Sequence, residues 1–278
     1  MPYVNAKEML YRAREGGYAV GAFNAENMET VQAIVAAAER MNSPVMVQTT
    51  PGSIKHAGIR QFAAMARAAA EAAGVDVCLH LDHGDSVGLC RDCIGAGYSS
   101  VMIDGSRLSF EKNVDMSRKV VELAHAHGVT VEAELGALGG KEDGLEGTQQ
   151  QYTDPDDAQR FCRETGVDSL AIAVGTAHGV YKTTPVLDLD RIDAIRRVTD
   201  VPLVLHGSSG LSDQCVIECV RRGICKVNFA TELRIAFTDA VREYMMNHST
   251  VFDPKKYLGP AREAVCVQVM RRIAILRR

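Results

Sequence analysis

One alternation runs the length of this chain and constrains it more than anything else: a short apolar run, then a segment with helical spacing. The runs fall at residues 19–23, 44–48, 77–81, 100–103, 130–134, 169–174, 203–205 and 225–228. Segments such as 29–40, 60–73, 112–127, 156–165, 189–198 and 212–222 lie between them, with apolar residues at 3.6-like spacing. Gly74, Gly97, Gly128, Gly166 and Gly223 punctuate the junctions, as at helix ends that close in a left-handed turn. The apolar runs are near-continuous, as expected of parallel strands covered on both faces. Eight strand–helix units in about 250 residues predict an α/β fold, a closed (β/α)8 TIM barrel. An open doubly wound sheet usually has fewer units, and its G-x-G-x-x-G turn does not follow the first run. The first fifteen residues read as an N-terminal helix closing the barrel floor. The last thirty read as an extra C-terminal helix, preceded by a turn-rich stretch at 253–260. No linker divides the chain, so residues 1–278 are expected to form one domain.

Composition removes several function classes. A formal charge of −4 and a pI near 6.1 leave no basic footprint for nucleic acid or an anionic membrane. No apolar run approaches the ~18–20 residues that cross a bilayer. The N-terminal MPYVNAKEMLYRAREGG has charges of both signs and no apolar core, unlike a signal peptide. Of the 8 cysteines, Cys78, Cys225 and Cys266 sit in apolar runs, where cysteine acts as a small hydrophobe. Cys90 and Cys93 form one C-x-x-C, but a structural zinc site wants a second such pair, and Cys215 and Cys219 are four apart on a helical segment. Reduced cysteines and a cytoplasmic location are the expectation.

In a parallel barrel, chemistry gathers where strands run out into the loops that follow. Asn24 follows the first run, Asp82 and His83 the third, and Asp104 the fourth; Glu134 closes the fifth, His178 lies beyond the sixth, His206 follows the seventh and Asn228 closes the eighth. His83, His178 and His206 are each followed directly by glycine. Three imidazoles converging from three strands would make a zinc site with an open coordination position; the alternative is three unrelated rim histidines bonded to loop carbonyls. His56, His125, His127 and His248 read as surface residues, and His80, inside the third run, as a hydrogen-bonded core histidine. Asp82 fits three roles: metal ligand, orienting partner of a ligand, or acid/base. Glycine- and hydroxyl-rich segments at 175–179, 206–210 and 228–231 suit a phosphorylated ligand, with Lys182 as an added charge. Lys226 shares the inward face of Asn228. It could form a Schiff base with a carbonyl substrate, or pair with a buried carboxylate.

The segments LHLDHGDS, SVMIDGS, VEAELGALGGKED, VGTAHGVYK, LVLHGSSG and KVNFATELRIAF, in that order, resemble the class II, zinc-dependent ketose-bisphosphate aldolases. The likeness extends from about residue 3 to about residue 265. It implies reversible aldol cleavage of a ketose 1,6-bisphosphate to dihydroxyacetone phosphate and glyceraldehyde 3-phosphate. His83, His178 and His206 would bind catalytic Zn2+, Asp82 would be the acid/base at the C4 hydroxyl, and Asp104 and Glu134 would serve a second or displaced metal. Glu142 would move a proton at the ketone fragment. Gly179, Lys182, Gly207, Ser208, Ser209, Asn228 and Thr231 would surround dihydroxyacetone phosphate, with Asn24 and Ser53 on the other flank. Gly179 and Gly207 would donate carbonyls to a monovalent cation, Na+ or K+. Ala230 and the segment TPGSIKH at 50–56 resemble the tagatose-type rather than the fructose-type pattern, which favours tagatose 1,6-bisphosphate over fructose 1,6-bisphosphate. Arg262 is the candidate for the far phosphate. The resemblance also implies a homo-oligomer, dimer or tetramer. A non-enzymatic sugar-phosphate-binding subunit is the competing class, and the complete set of Asp82, three histidines and Glu142 argues against it. Zinc-dependent hydrolysis is disfavoured because the first run ends Phe23-Asn24-Ala25, without a His-x-His.

Overall fold

The computed structural model describes residues 2–137, 139–142, 145–146, 151–179, 181 and 185–277, with 140–142 and 145–146 described by backbone alone. In chain order its elements begin α1 (Ala6–Gly16), β1 (Val20–Asn24), α2 (Met28–Arg40), β2 (Val45–Thr49), α3 (Pro51–Ala57), α4 (Ile59–Ala72), β3 (Val77–Gly84) and α5 (Val87–Ala96). They continue β4 (Ser100–Ile103), α6 (Phe110–His125), β5 (Thr130–Leu135), β6 (Gly139–Glu142), β7 (Leu145–Glu146), α7 (Pro155–Thr165), β8 (Ser169–Ile172) and β9 (Ala177–His178). The last are α8 (Leu189–Val198), β10 (Leu203–Leu205), α9 (Asp213–Arg221), β11 (Ile224–Phe229), α10 (Thr231–Asn247) and α11 (Pro254–Leu276).

Eight of these strands form a closed barrel in the order β1-β11-β10-β8-β5-β4-β3-β2, and every neighbouring pair is parallel. The expected (β/α)8 architecture is therefore present, closed by β1 on β11 with Val20 opposite Lys226 and Ala22 opposite Asn228. Period-two alternation divides each strand between an outer face, packed on helices, and an inner face. On the inner faces, Val20, Ala22, Met46 and Cys78 at the strand starts are apolar. They pack with Ala6, Met9, Leu10 and Ala13 of α1, which plugs the floor. Further up these strands, and on β5 and β11, the interior is polar: His80, Glu132 and Lys226, then Asn24, Gln48, Asp82, Glu134 and Asn228, all buried. Polar groups buried in a barrel need partners, and those partners form the site.

Three elements depart from the sequence expectation. A small second sheet, β7-β6-β9, lies outside the barrel, built by an antiparallel β6–β7 pairing and a parallel β6–β9 pairing; its glycine-rich, charged sequence carries no apolar alternation to announce it. Residues 51–57 are helical, with the Thr50 side chain capping the Ser53 N–H and Pro51 in the first turn. The stretch 253–260 is not a turn. Asp253 caps a helix that opens with Pro254 and continues through Pro260. Pro260 and Lys256 are both exposed, so the carbonyl that loses its helical partner lies on the solvent side. That helix packs on α2 and α10. It is tied down by buried Arg272, which bonds Glu232 of α10 and Asp213 of α9 and lies over the Phe229 ring.

All eight cysteines are free. No described helix is long and apolar enough to cross a membrane.

Candidate active site

His83 leaves β3 in a left-handed conformation, φ 49°, where the ladder to β4 slips between Leu81 and Gly84. A Cβ on Gly84 would lie 2.4 Å from the Met102 carbonyl oxygen. The glycine thus lets backbone pass backbone, rather than admitting a ligand, and the bend aims the His83 ring inward. His83 Nδ1 is 2.9 Å from Asp104 Oδ2, and its Nε2 lies 3.1 Å from His206 Nδ1. The other nitrogen of His206, Nε2, is 2.8 Å from Glu132 Oε1. His178 arrives on β9, held by the pairing with β6, and its ring centroid lies 4.9 Å from that of His83. All three histidines offer nitrogen atoms within 4.8 Å of one another, and His83, Asp104 and Glu134 form a second such group.

These residues fit a divalent cation. Two imidazole nitrogens that face each other while their opposite nitrogens engage carboxylates repel unless a positive charge sits between them. Glu134 Oε2 is buried without a hydrogen-bond partner, 3.5 Å from His206 Nδ1, an acceptor left for something else. The protein alone is electrostatically frustrated here. Burial, then the charge of Asp104, pushes the Glu134 carboxyl well above its ordinary value. Asp104 moves the other way: burial opposes its ionisation, but His83 and Ser106 outweigh that and hold it below the carboxylate range.

Asp82 is 1% exposed. Its Oδ2 accepts from Gln48 Nε2 and its Oδ1 from Asn228 Nδ2, each at 3.0 Å. The Gln48 amide also donates to Asn24 Oδ1 at 2.7 Å. Two neutral amides therefore set the orientation of the carboxylate without neutralising it. Lys226 points into the barrel as expected, but it is fully buried, with Nζ 2.9 Å from Glu132 Oε2. It does not line the pocket above. His80 is a core histidine bonded to Ser100 Oγ at 2.8 Å.

The pocket above holds about 380 Å³ of space, part of it open to solvent. Asn24, Asp82, His83, His178, Gly179, Gly207, Ser208, Ser209, Asn228, Ala230 and Thr231 line it together with Arg234. Ser53 stands one step back: its hydroxyl donates to Glu26 at 2.8 Å, and Glu26 pairs with Arg234 at 2.6 Å. Asp104 and Glu134 contact the histidines and are not part of the lining. Lys182, and Glu142 beyond its backbone at the end of β6, lie outside the described residues. Arg262 is exposed and bonds Gln32 at 2.8 Å, away from the pocket lining, whereas Arg234 is on it. Gly207 has φ +65°, and a Cβ there would meet the Ala177 carbonyl oxygen at 2.6 Å. The Tyr181 hydroxyl fastens this crossing, donating to Gly207 O at 2.7 Å and accepting from Ala177 N at 2.8 Å. Helix α10 starts at the pocket, with Ala230 as a cap residue that offers no side-chain hydrogen bond; such a start favours an anion.

Sequence reasoning missed Gln48, Glu132 and Arg234. The first two each sit inside an apolar run, and only the closed barrel shows that they face Asp82 and His206. Arg234 lies one helical turn beyond Ala230.

Comparison with known proteins gives this geometry its context. The model of the class II fructose-bisphosphate aldolase family matches residues 4–278. The structure is similar to that of the YdjI aldolase from Escherichia coli K12, with 31% identity, coverage of 99% of this chain and 97% of that one, and a TM-score of 0.87. It is also similar to fructose-bisphosphate aldolase from Campylobacter jejuni, with 25% identity, coverage of 99% and 95%, and a TM-score of 0.81. With the barrel, His83, His178 and Asp82 on one pocket and His206 buried against His83, these matches make the chain a member of the class II fructose-bisphosphate aldolase family and an aldehyde-lyase.

Proposed function

We propose that this aldolase uses Zn2+ held by His83, His178 and His206 to cleave tagatose 1,6-bisphosphate reversibly to dihydroxyacetone phosphate and glyceraldehyde 3-phosphate. The convergence of three imidazoles within 4.8 Å of one another, two of them lining a pocket that Asp82 also lines, carries this proposal. A divalent ion bound there supplies Lewis-acid polarisation of a substrate carbonyl. Asp82, oriented by Gln48 and Asn228, takes the proton of the C4 hydroxyl in cleavage and returns it in condensation. Gly179, Gly207, Ser208, Ser209, Asn228 and Thr231, with the start of α10, receive the phosphate of the ketone half. Arg234, balanced by Glu26, stands at the pocket wall for the far phosphate. Lys182 and Glu142 keep the roles that the resemblance implies, phosphate charge and proton transfer. Asp104 and Glu134 serve a second or displaced position of the metal. Gly179 and Gly207 carbonyls are the donors for Na+ or K+, with the Gly207 oxygen shared with Tyr181. A homo-oligomer, a cytoplasmic location and a single domain over 1–278 complete the proposal.

The preference for tagatose over fructose bisphosphate rests on the resemblance of Ala230, which lines the pocket, and of residues 50–56 to the tagatose-type pattern. Dialysis against chelator is expected to abolish cleavage and Zn2+ to restore it. Borohydride with substrate is expected to leave the enzyme active, since Lys226 is engaged by Glu132. Chelator-resistant activity that borohydride destroys would transfer the chemistry to Lys226. Cleavage rates on the two bisphosphates decide the sugar, and faster turnover of fructose bisphosphate would reverse that preference.

A further inference from the structure

The barrel keeps an ion pair where it is costly to keep one. Lys226 and Glu132 are 0% and 1% exposed, and Nζ contacts both carboxylate oxygens, at 3.1 and 2.9 Å. Glu132 Oε2 also accepts from Ser169 Oγ at 3.4 Å and lies 3.9 Å from His80 Nε2. A buried pair of this kind is often no more stabilising than apolar side chains of the same volume, so stability alone does not account for it. Its remaining contact is specific: Glu132 Oε1 is 2.8 Å from His206 Nε2. An anionic carboxylate only accepts hydrogen bonds, so Nε2 is the nitrogen that carries the proton. Nδ1 is then the lone-pair nitrogen, and it is the one that faces His83 and Glu134. Lys226 Nζ lies against both oxygens of Glu132 and supplies its counter-charge.

We propose that Glu132 and Lys226 act as a positioning pair that fixes the tautomer and ring orientation of His206, so that Nδ1 is presented to the metal. This rests on the metal reading above and goes beyond it. It assigns the barrel lysine to metal affinity rather than to carbonyl chemistry, and it separates Glu132 from Glu134, two residues along the same strand. Asp104 does the corresponding work for His83 from the opposite ring nitrogen, so two of the three imidazoles are each oriented by a carboxylate of their own.

The test uses the full-length protein, freed of metal, with Co2+ as probe. Nitrogen-15 NMR of the wild type is expected to show His206 protonated at Nε2. In Glu132→Gln the amide oxygen turns to the Lys226 ammonium, its NH2 faces His206, and the proton moves to Nδ1. Co2+ affinity then falls about 10–100-fold, the usual range for losing such a partner, and the visible Co2+ absorption changes. Glu132→Leu/Lys226→Met, which replaces the whole pair by apolar groups, is expected to fold and to show the same loss of affinity. If that double variant is folded by circular dichroism and binds Co2+ within about threefold of wild type with an unchanged spectrum, the proposal is overturned. Glu132→Gln with His206 still protonated at Nε2 and wild-type affinity overturns it equally. A wild-type protein that binds no Co2+ would instead remove the metal reading on which the inference stands.

Discussion

Asp82 shows how much at this site depends on single side chains. Both carboxylate oxygens are occupied by amide donors, one from β2 and one from β11, so its position is fixed from two sides of the barrel. Asp82→Ala is expected to retain the metal and lose about 10²–10⁴ in kcat, the usual contribution of a positioned acid/base. Metal content and steady-state cleavage measure the two together, and a loss under about threefold would place the acid/base elsewhere. The three histidines were legible in the sequence because histidine followed by glycine recurs at strand exits. Gln48 and Glu132 were not. A single polar residue inside an apolar strand looks like noise until the strands around it are known, and only the closed barrel brings Glu132 to His206 and Lys226. Arg234 was hidden for a different reason: it lies inside the motif KVNFATELRIAF, but the last residue assigned there was Thr231, while the side chain acts from the next helical turn.

At the scale of elements, strand periodicity carried most of the information. The eight barrel strands were legible as apolar runs because each is covered on both faces. The β7-β6-β9 sheet was not, since glycine and charge there give no alternation to read. Strands β3, β5 and β11 each turn one residue of a polar layer inward, namely His80, Glu132 and Lys226. Burial first, then the charge of Lys226, keeps His80 well below its ordinary value of 6.5. The unfolded chain binds a proton near pH 6.5 and the native layer does not, so this contribution is complete above that pH. It is lost as pH falls through 6.5 toward the lower native value, by at most about 1.4 kcal/mol per pH unit. Urea unfolding of the metal-free protein between pH 7 and 5 is expected to show the fall, and His80→Asn to flatten it. Equal slopes for the two proteins would exclude His80 as a source.

Across the whole molecule, the two ends of the barrel carry different burdens. The floor is apolar, with Met9 and Leu10 of α1 each 1% exposed beneath the strand starts. The rim holds the polar chemistry. Leu10→Ala is expected to cost about 2–5 kcal/mol of stability while turnover per folded molecule stays unchanged, by urea unfolding and active-site titration. A fall in turnover with little loss of stability would show that the ends are not separable. Within the rim, the Tyr181 hydroxyl joins the strand that brings His178 to the loop that begins with Gly207. One phenol thus rivets those two segments together, so a shift of the Gly207 loop pulls directly on the strand that carries His178.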